Sequence, residues 1–148
     1  MADAFYIGGT KCGALFGEAV VVPQSGLVPH LFTLIKQHGA LLAKGWALGA
    51  QFCALMQDGL YLRLGDAAVQ EAHRIAEALD DRGMLAMPAQ TNQVFALLDD
   101  DAFRRICERA NVSFWDKPDA SHTVVRIATS WSTQTEDVDE LISVIRGL

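Results

Sequence analysis

What most restricts the fold of this chain is a change in hydrophobic period partway along it. Leu60, Leu64, Ala68, Ala72, Ile75 and Leu79 recur at helical spacing, with Arg63, Asp66, Gln70, Glu71 and Arg74 mostly off that stripe. They predict one long amphipathic helix ending near Asp80-Asp81-Arg82-Gly83, where glycine suits the left-handed position after the last turn. Beyond it the period shortens. Residues 85–87 form a short apolar run closed by Pro88, residues 94–98 and 112–115 read as strands, and residues 123–131 as the last strand. Two shorter helices fall between and after them. The order strand, strand, helix, strand, strand, helix predicts an α+β layer with helices packed on one face of a small sheet.

The helix ends carry their own signals. Asp99-Asp100-Asp101 puts negative charge at a helix start, where the macrodipole favours it, ahead of a buried face of Phe103, Ile106, Cys107 and Ala110. Three adjacent side chains there cannot all point at one ion, so they read as a cap and not as a metal site. Thr133-x-x-Glu136 reads as a capping box for a closing helix lined by Val138, Leu141, Ile142, Ile145 and Leu148.

The first part of the chain has a different texture. Residues 2–7 and 18–22 read as two short buried strands flanking the glycine-rich turn Gly8-Gly9-Thr10-Lys11-Cys12-Gly13. A helix should follow, with Leu27, Leu31, Leu34, Ile35, His38, Leu41 and Leu42 on its apolar side and Gln37 and Lys44 on its polar side. Gly39, Gly45 and Gly49 would each weaken a solitary helix by about 1 kcal/mol relative to alanine. Either another backbone or a cofactor packs closely there, or the helix breaks in two around Gly45.

Composition narrows the partners. Half the residues are hydrophobic (51% of 148), more than a small monomer hides easily, which points to burial against another chain and to a homo-oligomer, most simply a dimer. The net charge is −6, and the 12 Lys and Arg are scattered without a basic run, which argues against nucleic acid. Cys12, Cys53 and Cys107 form no Cys-x-x-Cys, and the four histidines form no His-x-x-x-His. Neither a disulfide scaffold nor a zinc site is expected, and a reducing compartment is. With no leader pattern and no apolar run long enough to span a bilayer, the default is a cytoplasmic protein away from membranes.

Two residues stand out chemically. Lys11 sits alone in the glycine-rich turn between apolar segments; desolvated by them, its amine would be the kind of nucleophile a Schiff base needs, whereas most lysines beside glycines are simply solvated. Arg126 is a long cation in the middle of an apolar strand, and its planar fork could grip a carboxylate through two parallel hydrogen bonds. On the local pattern by itself, a solvent-facing arginine on a half-exposed sheet is the better reading. Local chemistry alone decides neither case.

A resemblance adds to both. Asp3, Ile7-Gly8-Gly9-Thr10-Lys11, Gly13-Ala14 and Gly17-Glu18-Ala19-Val20 resemble the cofactor-lysine segment of the low-specificity threonine aldolases. These are pyridoxal-phosphate lyases of the aspartate-aminotransferase fold type (fold type I), close to the β-eliminating lyases. Arg126-Ile127, Ser130-Trp131 and Thr133 resemble the segment whose arginine binds the substrate α-carboxylate, and Lys36-Gln37-x-Gly39, Asp58-Gly59 and Asn92-x-Val94-Phe95 fall in the family's order between the two. Cys12 stands where the family often has asparagine.

The resemblance implies an α/β chain, the C-terminal portion of such an enzyme: a remnant of the large cofactor-binding domain over residues 1–56, then a small α+β domain over residues 57–148. Lys11, with Thr10 beside it, would hold pyridoxal 5′-phosphate, and Arg126 would bind a β-hydroxy amino acid that the complete enzyme cleaves to glycine and an aldehyde. Lys36 is a further candidate near the cofactor phosphate or the substrate. The family's ring-stacking histidine, ring-nitrogen aspartate and phosphate cup all precede its lysine. The chain is therefore expected to be inactive alone. It would act as one half of a split enzyme completed by an N-terminal polypeptide, or as a non-catalytic oligomerisation or interaction module.

Overall fold

The computed structural model describes residues 2–148. The chain divides into two compact units, Met1–Leu62 and Arg63–Leu148.

In the first unit, β1 (Phe5–Gly8) pairs antiparallel with β2 (Glu18–Val21), Phe5 opposite Val21 and Gly8 opposite Glu18. The sequence predicts these strands to be buried, but Phe5, Tyr6 and Val20 are exposed. A two-stranded hairpin has two faces, and within this unit they are not both covered. The helix expected over residues 27–42 is reduced to α1 (Leu31–Gln37). Pro29 keeps Val28 out of helical conformation, and His30 takes a left-handed φ of 58° before the first turn. Gly39, at φ 70°, ends the helix, with the Ala40 N–H donating to the Ile35 carbonyl at 2.9 Å. The break therefore comes at Gly39, and Gly45 instead precedes α2 (Trp46–Met56). A 3-10 turn, Gln57–Gly59, with positive φ at Asp58 and Gly59, leads into α3 (Leu60–Asp80).

The second unit contains the principal core. A three-stranded antiparallel sheet runs in the order β3 (Gln93–Asp99), β5 (His122–Ala128), β4 (Ser113–Asp116), with β5 central. One face of it packs on α3, α4 (Asp100–Cys107) and α5 (Thr135–Arg146). Ala72, Ile75 and Leu79 meet Val94, Ala96 and Leu98, Ile106, Val125 and Ile127, and Val138, Leu141, Ile142 and Ile145. The alternation of β3 and β5 and the stripes of α3 and α5 are thus the core.

Four expectations need correction. Residues 85–87 do not form a strand. They touch β3 through one bridge, Leu85 to Ala96, with the Ala86 N–H donating to the Phe95 carbonyl at 2.8 Å. Pro88 has no N–H to continue the ladder, and the last strand ends at Ala128, short of Trp131. Cys107 is exposed; the buried face of α4 is Ala102 and Ile106, with Phe103 half-buried. The capping box does not form: α5 starts after Gln134 with no side-chain cap, and the Thr133 hydroxyl instead accepts from the Ser130 N–H at 2.9 Å. The acidic run does cap its helix, since Asp99 accepts from the Asp101 and Ala102 N–H groups at 3.0 and 2.8 Å. α3 ends as expected, with Gly83 at φ 66°.

Candidate functional site

The lysine turn joins β1 to β2. Thr10–Cys12 forms a single 3-10 turn, with the Cys12 and Ala14 N–H groups both donating to the Gly9 carbonyl at 2.9 and 3.0 Å. The loop is pinched tightly. A Cβ on Gly9 would lie 2.7 Å from the Ala14 Cβ and 2.9 Å from the Gly17 carbonyl oxygen, so a larger residue there would force backbone to move. Helix α2 clamps the far side: Gln51 Oε1 accepts from the Leu15 N–H at 2.8 Å, and its Nε2 donates to the Phe16 carbonyl at 3.4 Å. On the near side, the Tyr61 hydroxyl donates to the Gly8 carbonyl at 2.9 Å. Burial raises the Tyr61 phenol above its usual pKa, and a hydrogen bond with the Cys12 thiol adds to the rise.

Cys12 is thus engaged with Tyr61, while Thr10 and Lys11 are exposed. Lys11 has no hydrogen-bond or ion-pair partner among the described residues. The apolar neighbours that were expected to desolvate it do not enclose it: Leu15, Phe16, Phe5 and Tyr6 are themselves exposed. Lys36 lies in the last turn of α1, also exposed. Lys11, Thr10 and Lys36 belong to the first unit and Arg126 to the second.

Arg126 sits on the central strand, on the face turned away from the helices. In register it is flanked by Phe95 of β3 and Ser113 of β4. It is half-buried, forms no ion pair among the described residues, and its Nε is buried without a hydrogen-bond partner. Its guanidinium carbon lies 5.7 Å from the centre of the Trp115 ring, and that ring meets Phe95 edge-on, with centroids 4.9 Å apart at 70°. Leaving a buried donor unmet costs about 1–3 kcal/mol. An arginine so placed can hold a planar anion through its two terminal nitrogens, with Nε inside the sheet face.

For the pyridoxal phosphate that the resemblance implies, the described residues around the turn offer an exposed amine. An exposed amine on a clamped turn is a workable attachment point for an aldehyde. The polar groups packed on that turn, Gln51 and Tyr61, are already committed to backbone and to Cys12, so they offer nothing to a ring nitrogen or a phosphate. Sequence reading missed Gln51, Tyr61 and Trp115. The first two lie 36 and 53 residues from their partners, and no local pattern marks them.

No protein-family model matches the chain. It is 32% identical to a low-specificity L-threonine aldolase of Pseudomonas aeruginosa, a match covering 97% of this chain and 41% of that protein. A second such aldolase, from a Pseudomonas species, is 28% identical over 99% of this chain and 42% of its own length. Among solved structures, a threonine aldolase of Leishmania major superposes with a TM-score of 0.91 at 35% identity, covering 98% of this chain and 43% of that one. The chain thus spans about two fifths of the length of each of these relatives.

Proposed function

We propose that this chain, which is similar over nearly its whole length to about two fifths of the threonine aldolases it matches, is the C-terminal part of such an enzyme, supplies the lysine and the carboxylate-binding arginine of a pyridoxal-phosphate carbon–carbon lyase, and is inactive alone. Lys11 is the attachment point for the cofactor, with Thr10 beside it, and Arg126 orients the α-carboxylate of a β-hydroxy amino acid. Lys36 is a weaker candidate for the cofactor phosphate, because nothing fixes its side chain. When bound, the cofactor supplies the electron sink for cleavage between Cα and Cβ. This chain's own residues present the amine, hold it on a rigid turn and bind the substrate's anionic end.

The observation that carries this reading is the contrast between turn and side chain. The backbone around Lys11 is over-determined by Gly9, Gln51 and Tyr61, yet the amine itself is exposed and uncommitted. An amine held this way suits a site completed by other polypeptide. The same exposure supports the second reading, in which an N-terminal polypeptide complements the chain, over a purely non-catalytic module.

Titration of the purified chain with pyridoxal phosphate, read by its visible absorbance and by borohydride trapping, tests the assignment. Alone, the chain should label weakly, and Lys11→Ala should lower that labelling by one site's worth. Addition of the N-terminal part of a relative should make the labelling stoichiometric and dependent on Lys11. Labelling that is equal in the two proteins under both conditions would remove Lys11 from the site.

A further inference from the structure

We propose that Trp115 is a positioning residue that sets the plane of the Arg126 guanidinium for carboxylate binding; this rests on the reading of Arg126 given above. The sheet carries an irregularity at β4. Along β4, Ser113 faces Arg126 and Phe114 faces Val125, but the next pairing is Asp116 with Val124. Trp115 is therefore the extra residue of a β-bulge, with no partner of its own on β5. Bulges of this kind re-aim a side chain and are common beside functional sites.

Here the re-aimed ring reaches across the sheet. The strand order places β5 between β4 and β3, yet Trp115 contacts Phe95 on the far strand. To do so it must pass the position of Arg126, which is the register partner of Phe95. The guanidinium carbon lies within cation–π range of the indole, at 5.7 Å. Phe95 meets the same indole in a T-shaped contact, an arrangement aromatic pairs favour.

The consequence for Arg126 is chemical. A flexible arginine must be ordered by its ligand, and that ordering weakens binding. Packed against a braced indole, the guanidinium is ordered beforehand. No carboxylate of the chain neutralises it among the described residues, and its Nε–H is withdrawn from water without an acceptor. The arrangement holds an arginine ready for an incoming carboxylate.

The test uses the 15N-labelled chain, with the Arg126 Nε–H resonance assigned by its loss in Arg126→Lys. Glycine is the probe and glycinamide, which lacks the carboxylate, the control. In the wild type the resonance should sit away from the free-arginine position because of the indole ring current. It should shift saturably with glycine and not with glycinamide. Trp115→Leu should return it toward the free position and weaken glycine about fivefold, a loss of cation–π size. Trp115→Phe should retain most of the wild-type affinity. The methyl resonances of Val94 and Ile127 report whether the sheet stays folded in each variant.

A glycine response of equal affinity in wild type and Trp115→Leu would overturn the role of Trp115 and leave that of Arg126 standing. A resonance that ignores glycine in every protein would overturn the carboxylate role of Arg126, and the positioning role with it.

Discussion

Asp119 shows how much one residue in a short turn can gather. Its carboxylate accepts from the Ser121 and His122 N–H groups, both at 2.8 Å, from the Ser121 hydroxyl at 3.1 Å, and lies 2.9 Å from His122 Nδ1. Those bonds favour the ionised form and hold its pKa at about 2, against an ordinary 3.8, with the Ser121 N–H contributing most. A carboxylate depressed by folding stabilises the folded state above its unfolded pKa and loses that contribution as pH falls. The window therefore opens near pH 3.8 and closes near 2. Carbon-detected NMR titration should place the Asp119 midpoint near the lower value, and Asp119→Asn should remove this share of the chain's acid sensitivity. A midpoint at 3.8 would show that the turn does not hold in solution. At this scale the sequence was legible for residues of unusual type in their context and mute about the contacts that surround them. Lys11 and Arg126 stand out by type and context. Tyr61, Gln51 and Trp115 do not, because their roles arise from contacts between distant segments and from a bulge that no composition encodes.

Among the elements, legibility followed packing. α3 and α5 bury continuous stripes, so their periodicity was a sound guide to extent and to face. α1 buries no residue, so the local signals of Pro29, His30 and Gly39 outweighed its stripe and reduced it to seven residues. The capping box shows the same competition at smaller range: its threonine was taken by the Ser130 turn. Where a cap does form it should be measurable. Asp99 accepts two otherwise unpaired N–H groups at the start of α4, and its removal should cost about 1 kcal/mol. Asp99→Ala should lower the denaturant midpoint while leaving the slope of the transition unchanged. An unchanged midpoint would mean that water caps the helix equally well.

For the whole molecule, the division of apolar surface is the dominant fact. The second unit holds the main core, whereas the first buries only Ala14 and Leu55 of its hydrophobic side chains among the described residues. Leu27, Leu31, Phe32, Leu34, Leu41, Leu42 and Trp46 are all exposed. Exposed apolar surface on this scale tends to find a partner. Light scattering across a concentration series should show self-association of the chain, and Phe32→Glu with Leu42→Glu should reduce it. A monodisperse monomer at high concentration would contradict this. The pairing pattern also sets how long each half of the proposed site persists. β5 cannot release its amides without parting from a neighbour on each side, whereas β1 and β2 have only each other. Slow-exchanging amides accordingly belong on the strand that carries Arg126, and fast-exchanging ones on the hairpin that carries Lys11. In the chain by itself, the backbone under Arg126 is expected to outlast the backbone under Lys11.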